Sequence, residues 1–190
     1  MPQHRVDRVY LARHGQTALN ADGRLRGLSD PPLDDVGLAE VRRLAAELAG
    51  YTPTVVISSP LRRAVSTAKA IGGAATIPVV VDTRLVDRDY GTWTGQPRAE
   101  VEQRFGSVDD APGVESAVAL AARALAAWTE LTSEYQDGPL VMVSHDAFNT
   151  ALLHALDASL ASIGQRTACY NQLSRVDGRW RVDFHDRKPE

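Results

Sequence analysis

The sequence predicts an α/β fold: a three-layer sandwich with a mostly parallel central sheet flanked by helices, and antiparallel strands at one edge. Two observations predict it. Short apolar runs without charge alternate with longer segments of helical spacing, the order that builds a parallel sheet covered on both faces. Near the end of the chain two strand-like runs flank Asp177-Gly178, a tight-turn dipeptide, so the last strands form a hairpin at the sheet edge.

The elements follow in order. Residues 9–12 (Val-Tyr-Leu-Ala) are a first buried strand, and residues 15–33 are irregular. Leu38, Val41, Leu44, Ala45 and Leu48 fall on one face of a first helix. Residues 55–58 are a second strand. Ser59 then reads as an N-cap and Pro60 as the first helical residue of a helix carrying Leu61, Val65, Ala68 and Ile71. Residues 79–81 are a third strand, followed by an irregular stretch over 83–113. Helical spacing returns over 118–131, a fourth strand over 140–144, and a helix over 148–156; residues 167–176 and 179–185 form the hairpin. No repeat or linker divides the chain, so residues 1–190 read as one domain, frayed at 1–6 and 187–190.

Composition narrows the function classes. A net charge of -3 gives no reason to expect nucleic acid as a partner, so any positive feature is local. No apolar run spans a bilayer and the first six residues do not read as a signal peptide, so no membrane association is expected. Cys169, the only cysteine, excludes an internal disulfide; it reads as a small buried side chain in a cytoplasmic protein.

In an α/β sheet ligands bind beyond the carboxyl ends of the strands, so the residues there carry the chemistry. The first strand runs into Arg13-His14-Gly15, a cation and an imidazole beside a glycine that lets the backbone approach a ligand. The second runs into Ser59-Pro60-Leu61-Arg62-Arg63, where two arginines in a helix's first turn oppose its dipole; a bound phosphate offsets that cost. The fourth runs into Ser144-His145-Asp146, a second histidine at a helix start. The segment 82–95 mixes acids with aromatics and can supply a proton donor. Two histidines among arginines, with no carboxylate cage, point to an anion site and away from a metal. His4, His154 and His185 lack such contexts and read as surface or structural. Trp93, Trp128 and Trp180 read as packing residues, Trp93 also as a pocket-mouth candidate.

Taken together, these motifs resemble the histidine phosphatase superfamily, also called phosphoglycerate mutase-like, over nearly the whole chain. Arg13-His14-Gly15-Gln16-Thr17 is similar to its first signature, with Asn20 in the usual downstream position, and the stretch from Gly23 to Leu44 to its loop and first helix. Ser58 to Thr67 is similar to the second signature and selects Arg63 over Arg62; residues 112–116 resemble its Gly-x-Glu-Ser segment, and Ser144-His145 its second histidine. The resemblance implies a phosphomonoester hydrolase, needing neither metal nor cofactor, in which His14 attacks phosphorus and forms a phosphohistidine. Arg13, Arg63, His145 and the Asp146 backbone N–H would hold the phosphate oxygens, with Asn20 and Gly27 also at the substrate. The proton donor, usually glutamate, falls on Asp87, one methylene shorter.

Arg26 stands where many relatives carry an uncharged residue, and reads either as a solvated loop residue or as an extension of the positive rim toward a second acidic group. The expected partner is a small phosphorylated substrate, a sugar phosphate or phosphorylated acid, met by a monomer or homodimer. Two alternatives stand beside the phosphatase. A cofactor-dependent mutase usually needs a long insertion before the Glu-Ser segment, for which residues 96–113 leave little room. A phospho-ligand binding protein is suggested only by the glutamate-to-aspartate change.

Overall fold

The computed structural model describes residues 6–190. Six strands form one sheet in the order β3-β2-β4-β1-β5-β6: β1 (Arg8–Arg13), β2 (Val55–Ser58), β3 (Val79–Val81), β4 (Leu140–Ser144), β5 (Tyr170–Val176) and β6 (Arg179–Arg187). The first four run parallel, while β5 lies antiparallel to β1 and β6 to β5. Asp177 and Gly178 both have positive φ, as the hairpin turn requires.

Alternation along the strands sorts the core into two layers. Val9, Leu11, Val55, Ile57, Leu140 and Met142 face α5 (Ala117–Glu134) and α6 (Asp146–Leu156). Tyr10, Ala12, Val56, Val141 and Val143 face α2 (Asp35–Ala49) and α3 (Arg62–Ala75). The chain leaving β1 therefore crosses by α2 on one face, and the chain leaving the adjacent β4 by α6 on the other. That divergence makes the β1/β4 carboxyl edge a switch point, where a crevice opens. His14 N–H donates to Ser144 O at 3.2 Å, tying the two strand ends together.

Several boundaries differ from expectation. Helix α3 starts at Arg62, not at Pro60: Leu61 is the N-cap without a side-chain bond, and Asp30 Oδ1 from another loop accepts from Arg62 N at 2.6 Å. Ser59 is thereby released for a different partner. The two regions expected to be irregular contain α1 (Ala18–Ala21) and α4 (Arg98–Phe105), besides 3-10 turns at Thr83–Leu85, Gly91–Trp93 and Val108–Asp110. Helix α4 buries only Val101, so its sequence carries no apolar stripe to find. Leu25, Tyr90, Val101, Val108 and Ala111 make a small third core that joins these regions into a cap beside the switch point. Strand β5 begins three residues late because Ala168 sits at φ 52, outside extended conformation.

The chain ends are anchored where described. Val6 is buried against the core, β6 runs to Arg187, and Lys188 Nζ reaches Glu40 Oε1 at 2.5 Å. His4 and the first five residues lie outside the described residues. No helix among the described residues is long and apolar enough to cross a membrane.

Candidate functional site

Both histidines sit one residue past a strand, and both are fully buried. Their ring centroids are 5.1 Å apart. His14 Nδ1 lies 2.7 Å from Gly15 O; a carbonyl only accepts, so Nδ1 carries the proton and Nε2 a lone pair. Arg63 Nε–H donates to that Nε2 at 3.2 Å. His145 Nε2 is 2.7 Å from Ser59 Oγ; with the hydroxyl donating, Nδ1 is left as the N–H, unpartnered and 3.6 Å from Asp87 Oδ2.

Arg63 is the hub. Besides His14 it donates from Nη1 to Ser29 O at 2.6 Å, and from Nη2 to Gly27 O at 2.9 Å and Asp87 Oδ2 at 3.0 Å. The guanidinium thus fixes the His14 ring and the Asp87 carboxylate relative to each other, a tighter role than the open phosphate fork expected from sequence. Asp87 is buried, and its Oδ1 accepts from Arg88 N at 2.8 Å. Arg123 grips the Asp87 loop from below, donating to Val86 O and Asp87 O, while Glu115 holds Arg123 in turn.

Arg13 is buried, bonded through Nη1 to Gln165 O and 3.6 Å from Asp146 Oδ2. Arg26 is buried too, 3.9 Å from the same carboxylate oxygen, so it is no solvated loop residue. The Nε atoms of Arg13 and Arg26 and Nδ1 of His145 are buried donors without a protein partner. Unpaired buried donors are costly, and an anion that accepts from them removes the cost.

Gly27 and Asn20 fare differently. Gly27 has φ +48, and a Cβ there would stand 3.0 Å from Tyr90 Cδ2, so only glycine offers its carbonyl to Arg63 without strain. Asn20 Oδ1 accepts from Thr17 N and Oγ, capping α1, and no hydrogen bond ties it to the His14 cluster. Gly15 also departs from expectation. A Cβ on it would meet Val41 and Gly37 O at 2.6 and 2.7 Å, so what its bareness admits is helix α2, not a ligand. Trp93 donates to Pro112 O and packs on Phe105 inside the cap, while His154 lies exposed on a cavity wall.

Sequence reasoning missed Ser59, Gln165 and Arg123 as site supports, and marked Glu115 only as part of the Gly-x-Glu-Ser segment, without its role of holding Arg123. Ser59 carried a local signal, misread as a helix cap; Gln165 and Arg123 reach the site from distant elements.

Burial, then the partner imidazole and the guanidiniums of Arg63 and Arg13, push the His14 pKa well below 6.5; burial, then Arg63, Arg13 and Arg26, do the same to His145. Both rings are therefore neutral in the folded protein, whereas the unfolded chain protonates them below about pH 6.5. The unfolded state then binds more protons, so stability is expected to fall as pH drops from 7 toward 5. Denaturant midpoints across that range check this; a flat profile contradicts it.

Beside the cluster, reached past Arg26 and Asp146, a cavity of about 760 Å³ opens between the cap, α5 and α6. A model of the histidine phosphatase superfamily (branch 1) matches residues 9–187. The chain is 35% identical to glucosyl-3-phosphoglycerate phosphatase of Mycolicibacterium vanbaalenii, over 94% of each protein. It superposes on a mycobacterial glucosyl-3-phosphoglycerate phosphatase in complex with VO3 at TM-score 0.84 and 31% identity, covering 96% of this chain and 100% of that one. A phosphoglycerate mutase from Bacillus anthracis shares the fold at TM-score 0.86 and 21% identity, over 97% and 95% of the chains. Fold, signatures and near-complete coverage agree, and the chain belongs to the histidine phosphatase superfamily, branch 1.

Proposed function

We propose that the protein hydrolyses a small phosphomonoester through a phosphohistidine on His14, and that the substrate is a phosphorylated sugar acid of the glucosyl-3-phosphoglycerate type. The observation that carries the reading is the state of His14: neutral, its Nδ1–H spent on Gly15 O, its Nε2 lone pair aligned by Arg63. The entering phosphate draws the Arg63 Nε–H off Nε2, and the freed lone pair attacks phosphorus as the ester P–O bond breaks in line. Arg13, Arg26, His145 and the N–H of Asp146 at the start of α6 take the non-bridging oxygens, with Arg63 beside the nucleophile. The leaving oxygen collects a proton from Asp87 in its acid form. Water then attacks the phosphohistidine, Asp87 takes up the proton, and phosphate leaves. No step needs a metal or cofactor.

The sugar-acid assignment comes from the similar mycobacterial enzymes and from a cavity roomier than a bare phosphoglycerate requires. The chain is proposed to act as a single domain in the cytoplasm, as a monomer or homodimer. Against the mutase reading, residues between Gly95 and Val114 are spent on a compact cap, with α4 and the 3-10 turn Val108–Asp110 packed on Leu25 and Tyr90.

One assay separates the readings. Purified protein is given glucosyl-3-phosphoglycerate, 3-phosphoglycerate and 4-nitrophenyl phosphate, and in parallel 3-phosphoglycerate with the bisphosphate primer. Release of inorganic phosphate, fastest from the glucosyl compound, is expected. Interconversion of 3- and 2-phosphoglycerate outpacing phosphate release would establish the mutase, and tight phosphate binding without turnover a binding protein.

A further inference from the structure

The cavity beyond the phosphate cradle has walls of an unusual kind. Its guanidinium groups each face a carboxylate: Arg26 is 3.9 Å from Asp146, Arg88 2.6 Å from Asp109, and Arg98 3.3 Å from Glu102. The three guanidiniums of Arg26, Arg88 and Arg98 are matched by the three carboxylates of Glu102, Asp109 and Asp146, so the wall offers a second strong anion no net positive charge. Here the positive charge is already answered, while donors and acceptors remain side by side. A hydroxyl both donates and accepts, so a polyol finds partners for both functions on such a wall.

The innermost pair decides what can stand next to the transferred phosphate. Asp146 Oδ2 lies between Arg13 of the cradle and Arg26 of the cavity, 3.6 and 3.9 Å from them. With both histidines neutral, the cradle's charged side chains are the guanidiniums of Arg13, Arg26 and Arg63 and the carboxylates of Asp87 and Asp146. Together they leave one unit of positive charge, or two when Asp87 carries the proton it donates, and a single phosphate dianion already uses up both. A second phosphate brought alongside would add like charge in a buried setting, where it is poorly screened.

We propose that the cavity is a subsite for an uncharged, polyhydroxylated group, and that Asp146 is its specificity-determining residue, admitting a glycosyl unit beside the phosphate and rejecting a second phosphoryl group. The proposal rests on the phosphatase reading above and adds the part of the substrate that the cradle does not touch. It also gives Arg26 a meaning that sequence left open: it extends the rim, but with its charge balanced by Asp146.

The test compares two competitors of 4-nitrophenyl phosphate hydrolysis, glucose 6-phosphate and fructose 1,6-bisphosphate. In the wild type the monophosphate is expected to inhibit at lower concentration. Asp146→Asn, which keeps the backbone N–H and removes the charge, is expected to shift the ratio of the two inhibition constants toward the bisphosphate by about tenfold. Asp146→Glu should hold the wild-type ratio. Glu102→Gln, on the exposed α4, provides an independent reading and should move the ratio the same way by a smaller factor. Ratios unmoved in both Asp146→Asn and Glu102→Gln, or a wild type that prefers the bisphosphate, would overturn the proposal. Absence of 4-nitrophenyl phosphate turnover would instead count against the phosphatase reading; calorimetric titration of the same two sugars then still measures the ratio.

Discussion

Arg63→Ala is expected to lower kcat/KM by on the order of a thousandfold and to destabilise the fold by about 3–5 kcal/mol. Both effects come from the same atoms. Nε sets the direction of the His14 lone pair, and Nη2 is the counter-charge of Asp87, which is 3% exposed. Without the guanidinium, a buried carboxylate is left uncompensated and the carbonyls of Gly27 and Ser29 lose their donor. In a protein of this size that corresponds to a fall in Tm on the order of 10 °C. Arg63→Lys separates the two effects. A single ammonium can face Asp87 and restore part of the stability, but it cannot reach His14, Gly27, Ser29 and Asp87 together, so the rate should stay low. Thermal melts and steady-state kinetics on the same preparations check this. A rate that recovers in step with Tm in the lysine variant would contradict the alignment role.

Asp87→Asn is expected to divide substrates by their leaving group. An alkyl phosphate departs as an alkoxide and needs a proton, so its turnover should fall by about a hundredfold or more. The nitrophenolate of 4-nitrophenyl phosphate is stable unprotonated, and its hydrolysis should change little. Asparagine keeps an oxygen for only one of the two donors that Asp87 serves separately, Arg63 Nη2 and Arg88 N–H, so a modest loss of stability is expected beside the kinetic effect. The shorter side chain finds its place because the loop is pulled inward: Arg123 donates to the carbonyls of Val86 and Asp87, and Arg88 to Glu115 O and Asp109. Equal losses on both substrates would move the donor role to Asp146. Asp89 is the weaker substitute, since it is exposed and turned back to cap Gly91 N.

Much of this arrangement was legible in the sequence. Apolar runs at 9–12, 55–58 and 140–144 named the parallel strands because buried strands exclude charge over their whole length, and 79–81 followed from its three β-branched valines although it lies at the sheet edge with Val81 exposed. Arg13, His14, His145 and the pair Arg62-Arg63 could be read from the strand ends, since a parallel sheet delivers all its strand ends to one edge, and the resemblance to the second signature chose Arg63 from the pair. What escaped was whatever depends on partners far along the chain. Helix α3 takes its first-turn acceptor from Asp30, so Ser59 and Pro60 looked like its start, while Ser59 bonds His145 instead. Gly15 is explained only once α2 lies against it. Helix α4 is held by the cap rather than by its own pattern. Asn20 kept a family position yet spends its oxygen on Thr17. The pairing of Arg26 with Asp146 joins residues 120 positions apart, and no local spacing announces it.

The central claim is that His14 Nε2 carries the phosphoryl group. Rapid acid-free quenching of the enzyme with a 32P-labelled substrate, followed by phosphopeptide mapping, addresses it directly. The account predicts an acid-labile, base-stable label on the peptide containing His14, formed and lost at rates compatible with turnover and absent in His14→Ala. Turnover with no label, or the same label in His14→Ala, would contradict it.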